Sequence, residues 1–520
     1  MTATVTLEPE SFTAVLFDLD GVVTDTASVH AHAWKEVFDA YFARRADAVG
    51  EQEREFTSDD YQRHLDGRPR YEGVAALLDS RGIALPYGDP SDSPARETVC
   101  GLGNAKNERF VAHLDRDEVD VFDSTVELVC RLRLQGLRVG VFSASRNAGR
   151  VLAAAGVEDL FEVRVDGVEA ERLGLAGKPD PAVPLEAAAR LRVDPARTVL
   201  VEDARAGVEA GRAGGFGLVV GVDRTGEADA LRRHGADTVV ADLAEVSVAA
   251  VGRPLSVVPD AFTMTSEVGW LLRSRRPAVF LDFDGTLSPI VDDPSDAELT
   301  PGAHDTLERL AGLCTVAVIS GRDLSDVRQR VGAEQLWYAG SHGFELVGPA
   351  GERHEHPEID ELTPTLDAAE RALRERVARW PGAFVERKRY TIATHFRRLE
   401  EGRADDVTAV VEGVAEEHPA LRVAGGRRVV ELRPDVDWDK GRALRRVLDE
   451  VADEAERHLA VYAGDDLTDE DALEVVKADG LGIVVRSEEH GDRATVAHVS
   501  VADPEAFADL LGRIADVVEA

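Results

Sequence analysis

Two carboxylates separated by one residue and followed by glycine occur twice, each time directly after an apolar run. Ala14–Phe17 leads into Asp18-Leu19-Asp20-Gly21, and Ala278–Leu281 leads into Asp282-Phe283-Asp284-Gly285. A short apolar run bounded by turn residues reads as a buried strand, so each acidic pair is expected where a strand opens into a loop. Carboxylates placed there can divide labour. One attacks phosphorus and helps hold a hard cation, and the other moves a proton. The repeat predicts two phosphoryl-transfer sites on one polypeptide.

A chain of 520 residues is too long for one ordinary core. Strand-like runs at Ala14–Asp18, Arg138–Phe142, Thr198–Glu202 and Phe216–Val222 alternate with helical stretches such as Pro181–Leu191. They recur at Ala278–Asp282, Thr315–Ile319, Leu459–Ala463 and Gly482–Val485. This alternation predicts parallel sheets covered on both faces: an α/β chain of two Rossmann-like, doubly wound units. The Pro/Gly-containing stretch Val251–Pro259 is the expected linker, giving domains at 1–252 and 260–520.

The 98 acidic against 60 basic residues, a net charge of −38, repel nucleic acid and anionic membrane surfaces. Cys100, Cys130 and Cys314 are scattered, without a C-x-x-C pair, which suits a reducing compartment. The N-terminal residues show no basic-then-apolar leader, and no apolar run is long enough to span a bilayer. A cytoplasmic protein is expected. Only six lysines occur, so a lysine points to a need for a compact ammonium. Four of them, Lys106, Lys178, Lys388 and Lys440, fall in motifs.

Chemical residues follow each strand in the same order. The first half has Asp18 and Asp20, Ser143 in VFSASRN, Lys178 in GKPDP, then Glu202-Asp203. The second has Asp282 and Asp284, Ser320 in VISGRD, Lys440 in DWDKGRAL, then Asp465, Asp466 and Asp469 in AGDDLTDED. Both halves resemble the haloacid dehalogenase superfamily of aspartyl-phosphate-forming enzymes, all four of whose motifs each half contains.

The resemblance implies that Asp18 and Asp282 are nucleophiles and that Asp20 and Asp284 act as acid and base. It implies that Ser143 and Ser320 hydrogen-bond the transferring group and that Lys178 and Lys440 offset the charge gathered between aspartates and phosphate. Mg2+ is expected on Asp18, the Asp20 carbonyl and Asp203 in one half, and on Asp282, the Asp284 carbonyl and Asp465 in the other. The long gap lies before Ser143 in the first half and after Ser320 in the second. These insertions read as a helical cap at about 25–120 and an α/β cap at about 343–438, which exclude water and choose the substrate.

The second half is similar to trehalose-6-phosphate phosphatases over about Thr265–Val518. The carrying stretches are DFDGTLSPIVDDP, ISGRD, GSHGFEL, ERKRYTIATHFR, ELRP, DKGRAL and AGDDLTDEDA. The resemblance implies that Glu386, Lys388 and Glu431 grip sugar hydroxyls, with Arg322, His342, Glu345, His395 and Arg397 lining the same cleft. Ser341 stands where that family often has Asn. Arg353-His354-Glu355-His356 reads as a solvated turn, not a metal cluster.

The first half resembles β-phosphoglucomutase and related sugar-phosphate phosphatases over about Ser11–Val222, most closely in DLDGVVTDTASVHAHAWK. Thr26 fits a hinge position, His30 a histidine that contacts the acid, Arg70 a grip on a distal phosphate, and Lys106 a cap lysine at the sugar. Ala204 replaces the serine usual after the Glu-Asp pair.

The expected activity is trehalose 6-phosphate hydrolysis, functionally linked to trehalose-6-phosphate synthase, alongside a β-phosphoglucomutase or hexose-phosphate phosphatase. The rival is a phosphatase for another sugar phosphate, with the first half a non-catalytic regulatory module.

Overall fold

The computed structural model describes residues 5–49, 54–114, 116, 119–291, 293–357, 360–396, 399, 403–426, 429–452, 458–487 and 491–520. The chain divides into two compact units, Met1–Ala249 and Ala250–Ala520.

In the first unit the apolar runs become six parallel strands. Their order is Val163–Val165, Arg138–Phe142, Ala14–Asp18, Thr198–Glu202, Leu218–Val222, Thr238–Val240. Ala14, Val15, Leu16 and Phe17 are wholly buried. Each Val, Leu or Phe so covered contributes roughly 1.5–3 kcal/mol, which fixes this strand at the centre. The chain adds two strands on one side of it and then crosses over to add three on the other, creating the crevice at the strands' carboxyl ends where ligands bind.

The helical insertion is joined to the core through a narrow neck. Asp25 N donates to Asp120 O (2.9 Å), and Phe122 N donates to Val23 O (3.0 Å). Its helices, Ala27–Val49, Ser58–His64, Arg70–Ser80 and Val99–Leu114, enclose their own core. There Phe38 stacks between Trp34 and Phe56, at centroid distances of 5.5 Å each.

The second unit has an eight-stranded sheet. Its order is Arg353–Glu355, Glu345–Val347, Trp337–Gly340, Thr315–Ile319, Pro277–Leu281, Leu459–Gly464, Leu481–Val485, Val499–Val501. The first two strands are antiparallel additions to a parallel core. The stretch expected to open the second cap at 343 therefore starts inside the core sheet. Leu346 joins the core cluster there, a pull that insertion length alone could not reveal. Arg353-His354-Glu355 is likewise a strand, not a turn, with His354 stacked on Trp337.

The cap itself is a four-stranded antiparallel sheet, ordered Phe384–Arg387, Ile392–His395, Val429–Pro434, Leu421–Gly426. Helices Thr363–Val377 and Ala404–Glu417 cover one face through Leu366, Leu373, Val411, Val414, Ile392 and Leu432.

The expected linker is not a free connection. Arg253–Pro254 pairs with Ala494–Thr495, and Leu255 and Val258 are buried in the second core. Proline and glycine suggested a linker, but two apolar side chains with a core to enter decided the outcome.

Candidate active sites

Both acidic pairs sit at the carboxyl end of a central strand and enter the same tight turn. Gly21 N donates to Thr24 O and Gly285 N to Ser288 O, each at 2.8 Å. Both glycines have positive φ, +86° and +84°. A side chain would be strained there, and it would also collide. A Cβ on Gly21 would lie 1.9 Å from Asp203 Oδ2, and one on Gly285 would lie 2.1 Å from Asp465 Oδ2.

The nucleophile candidates have matching surroundings. Lys178 Nζ bridges Asp18 Oδ1 (2.5 Å) and Glu202 Oε1. Lys440 Nζ bridges Asp282 Oδ1 (2.6 Å) and Asp469 Oδ1 (2.6 Å). Burial pushes the Asp18 and Asp282 carboxyls above the ordinary range, against the pull of each lysine. Burial alone would depress both lysines, but the paired carboxylates outweigh it and raise them. Ionisation of each nucleophile thus depends on the cations beside it.

Glu202 and Asp469, present in the motifs but not assigned a role from them, are the second anchors. Asp469 is fully buried. Its Oδ1 also accepts from Tyr462 Oη (2.5 Å), and its Oδ2 from the main-chain N–H of Asp465 (3.0 Å) and Asp466 (2.8 Å). Tyr462 lies in an apolar strand with no sequence signal of this role.

The residues fit a hard divalent cation. Asp18, Glu202 and Asp203 bring oxygens within 4.8 Å of one another, as do Asp282, Asp465 and Asp469. All donors are oxygens, and the glycine turns leave room beside Asp203 and Asp465. Lysine, tyrosine and main-chain donors occupy Asp469, and Asp282 and Asp465 are the carboxylates of that set that line the cavity. A third group, His32, Glu36 and His113, meets in the first cap. There Arg109 donates to Glu36 Oε2 (2.8 Å) and Arg116 to His113 Nδ1 (2.7 Å), so arginines already balance this partly exposed cluster.

The acid–base candidates are held differently. Asp20 accepts from Thr26 Oγ1 and from Ser143 Oγ (3.1 Å), and His30 Nε2 lies 3.3 Å away. Burial would raise Asp20, but His30 and Thr26 hold it well below the carboxylate range. Behind His30, Lys106 Nζ contacts Nδ1 and faces the Phe110 ring. Burial, then repulsion from Arg70, bring Lys106 down to about 7. Asp284 is instead clamped by Arg322, Nε to Oδ2 (2.8 Å) and Nη2 to Oδ1 (2.7 Å). Ser320 Oγ accepts from Arg322 N (3.1 Å).

The second cap brings its predicted residues over this site. Lys388 Nζ donates to Glu431 Oε1 (2.9 Å) and to the core carbonyl of Gly321 (3.0 Å). Arg433, not foreseen in this role, donates to Glu431 Oε2 (2.9 Å), with His342 Nε2 at 3.4 Å from the same oxygen. Burial opposes, but Lys388 and Arg433 hold Glu431 well below its usual range. Burial and then Arg433 depress His342 to about 3, so it is neutral. Ser341 and His342 both take left-handed backbone, φ 49° and 61°, a conformation asparagine tolerates better than serine.

Glu386 pairs with His395 (2.7 Å), and Glu345 pairs with Arg389. Arg397 lies outside the described residues. Asp282, Asp284, Arg322, His342, Glu386, Lys388, Glu431, Lys440 and Asp465 share one cavity of about 450 Å³.

In the first unit Asp18, Asp20, His30, Arg70, Lys106, Ser143, Lys178 and Asp203 share a cavity of about 290 Å³. Arg70 Nη2 (2.6 Å) and Asn147 Nδ2 (2.7 Å) both donate to Asn107 Oδ1, setting two donor groups side by side. Asn147 belongs to VFSASRN, and its place beside Arg70 had no signal in sequence spacing.

A family model described as trehalose-phosphatase matches residues 280–505, and one described as haloacid dehalogenase-like hydrolase matches residues 12–215. An uncharacterized glycosyl hydrolase of Mycobacterium tuberculosis is 44% identical over 520 residues, covering 99% of this chain. The chain spans only 39% of that relative's length. A trehalose-phosphate phosphatase of Mycobacterium tuberculosis is 50% identical over 334 residues, 64% of this chain and 85% of that protein. A crystal structure of β-phosphoglucomutase from Clostridium difficile is 26% identical, covering 45% of this chain and 92% of that one, with a TM-score of 0.37. With two haloacid dehalogenase-type units, the chain belongs to the trehalose-phosphate phosphatase family.

Proposed function

We propose that the second unit hydrolyses trehalose 6-phosphate to trehalose and phosphate, and that the first unit is a β-glucose-1-phosphate mutase. One observation supports the first reading above others: Asp282 and Lys440 of the nucleophile cluster and the cap residues Glu386, Lys388 and Glu431 face a single cavity. A phosphorus-attacking group and a set of sugar-hydroxyl partners then meet at one substrate.

Asp282 attacks the phosphorus, the bond from phosphorus to the sugar oxygen breaks, and Asp284 gives that oxygen its proton. Asp284 then takes a proton from water, which attacks the aspartyl phosphate and releases phosphate while restoring Asp282. Arg322 holds Asp284 until the substrate's phosphate offers a second anion, which frees the acid for the leaving oxygen. Lys440 balances charge throughout. Mg2+, held by Asp282, Asp465 and the Asp284 carbonyl, would supply charge neutralisation on the phosphoryl oxygens.

For the first unit, the mutase is favoured over a phosphatase by Arg70 and Asn147 gathered on Asn107, in the cavity that also holds Lys178. A bisphosphate that turns over in place needs two phosphate positions, and a hydrolase needs one. The planar fork of Arg70 suits the second. Asp18 is the nucleophile, Asp20 the acid and base, and Asp203 the further Mg2+ ligand.

A cytoplasmic location beside a trehalose-6-phosphate synthase completes the proposal, since such an enzyme makes the second unit's substrate. Phosphate release from trehalose 6-phosphate, with and without Mg2+, tests the reading. It fails if metal-loaded protein releases none. For the first unit, conversion of β-glucose 1-phosphate to glucose 6-phosphate is the measurement.

A further inference from the structure

The cleft face of the second cap carries two different rows of side chains. Glu386, Ala393 and Glu431 are directly opposed across three strands, forming a polar row with a small residue at its centre. Phe384, His395 and Val429 form the next row on the same face. Two residues along a strand is about 7 Å, so the rows are about one sugar ring apart.

The second row has no place in the chemistry derived above. Phe384 is 44% exposed although it lines the catalytic cavity. One face of its ring lies on the His395 imidazole, with centroids 4.5 Å apart and planes 15° apart. Val429 from the cap, with Ile290 and Val291 from the loop after the second acidic pair, line the same cavity. Isolated exposed aromatics need no explanation, but one backed by a parallel stacked ring, in a cavity that three aliphatic side chains also line, offers an apolar surface.

Position along the strand says what this surface meets. Lys388, just beyond the strand, reaches the carbonyl of Gly321, next to Ser320 at the phosphate end. Glu386 comes next, and Phe384 is farthest out. A sugar phosphate of one ring engages Lys388 and the polar row. Only a second ring, linked to the first, extends to Phe384. Pyranose rings present an apolar C–H face, and an aromatic plane is its natural partner.

We propose that Phe384, oriented by His395, is a stacking platform for the ring that carries no phosphate, and that it makes this unit select a disaccharide phosphate over a monosaccharide phosphate. The proposal rests on the hydrolase reading given above. The same imidazole that supports Phe384 also holds Glu386 (2.7 Å), so the hydroxyl-binding and stacking elements are set by one side chain.

The test uses the full chain carrying Asp18→Asn, so that the first unit does not consume hexose phosphates. Phosphate release is measured with Mg2+ on trehalose 6-phosphate and on glucose 6-phosphate, for the parent and for Phe384→Ala and Phe384→Trp. In Phe384→Ala the kcat/KM ratio of disaccharide to monosaccharide is expected to fall about tenfold. The loss should appear in KM for trehalose 6-phosphate, while Phe384→Trp keeps the ratio near the parent value. An unchanged ratio in Phe384→Ala, or equal losses on both substrates, overturns the platform while leaving the hydrolase reading intact. Absence of trehalose 6-phosphate hydrolysis in the parent overturns the hydrolase reading and the platform with it.

Discussion

The two units reach the same nucleophile geometry from different sequence and then diverge two residues later. In each, a buried lysine bridges the first aspartate and a second carboxylate. The second carboxylate is Glu202, at the end of its strand, in one unit. It is Asp469, four residues past Asp465 on a short helical turn, in the other. Charge balance sets the arrangement: two buried carboxylates need a cation between them, whatever loop delivers them. The acid positions answer no such demand, and they differ. Asp20 sits among hydroxyls and a histidine, whereas Asp284 is held by a guanidinium.

The largest effect should separate the units completely. Asp282→Asn is expected to lower trehalose 6-phosphate hydrolysis by a factor on the order of 10⁴ or more and to leave β-glucose 1-phosphate conversion in place. Asp18→Asn should do the reverse. Phosphate release and glucose 6-phosphate formation, measured on both variants, check this. Substantial trehalose 6-phosphate hydrolysis by Asp282→Asn would mean that the two sites do not divide the labour.

Next comes the shared feature. Lys178→Met or Lys440→Met leaves two carboxylates facing each other in a buried site, at a cost of about 3–5 kcal/mol. Thermal unfolding in a chelator should show a similar loss for each variant, in the transition of its own unit. Added Mg2+ should recover part of it, because the ion replaces some of the missing positive charge. A large loss in one unit and none in the other would show that the resemblance between the clusters is superficial.

The sequence made the strand-end chemistry legible because each motif directly follows an apolar run, and hydrophobic burial fixes where such runs go. Asp18 and Asp282 needed no more than that, and their lysines stood out by scarcity and by their order among the motifs. Glu202 and Asp469 stood in plain view but unassigned, since nothing in spacing says which of several adjacent carboxylates turns toward a lysine. The insertion after Ser320 was visible as cap, but its first strands were not separable from it. Leu346 and its neighbours join the core sheet through long-range pairing that leaves no local mark. Arg433 and Tyr462 were hidden for another reason: their partners, Glu431 and Asp469, are near in sequence, but nothing in the spacing says that these side chains meet.

The cap lysines sharpen the comparison through pH. Lys106, buried and facing His30, Arg70, Asp20 and the rings of Trp34 and Phe110, has its pKa lowered to about 7. For Lys388 the neighbouring Glu431 outweighs burial and raises the pKa. Between about pH 7 and the unfolded value of 10.5, the unfolded chain holds a proton at Lys106 that the folded chain lacks. The contribution of Lys106 to stability therefore rises with pH across that window. Its charge at the sugar is lost as pH rises through about 7. KM of the first unit is expected to rise severalfold, and at most about tenfold per pH unit, between pH 7 and 9, with no matching rise in the second unit. The dependence should flatten in Lys106→Met, and a parallel rise in both units would refute the assignment.

The smallest expected effect concerns the helix that follows the metal-site carboxylates. In the second unit Asp466 caps its short helical turn, its side chain accepting from Leu467 N (2.6 Å). In the first unit the corresponding cap of helix Arg205–Ala213 is Ala204, with extended backbone (φ −100°, ψ 143°) and no side-chain hydrogen bond. That backbone is the one from which a serine oxygen accepts an N–H in the first turn. Ala204 also lines the cavity, so a hydroxyl has space. Ala204→Ser is expected to stabilise the first unit by about 1 kcal/mol, a shift of roughly 2–4 °C in its melting transition. The second unit's transition should stay in place. If the melting point is unmoved or falls, the helix start has already found another donor–acceptor arrangement through Glu202, whose Oε2 accepts from Ala204 N (2.8 Å). The alanine would then be an adaptation of that carboxylate and not a missing cap.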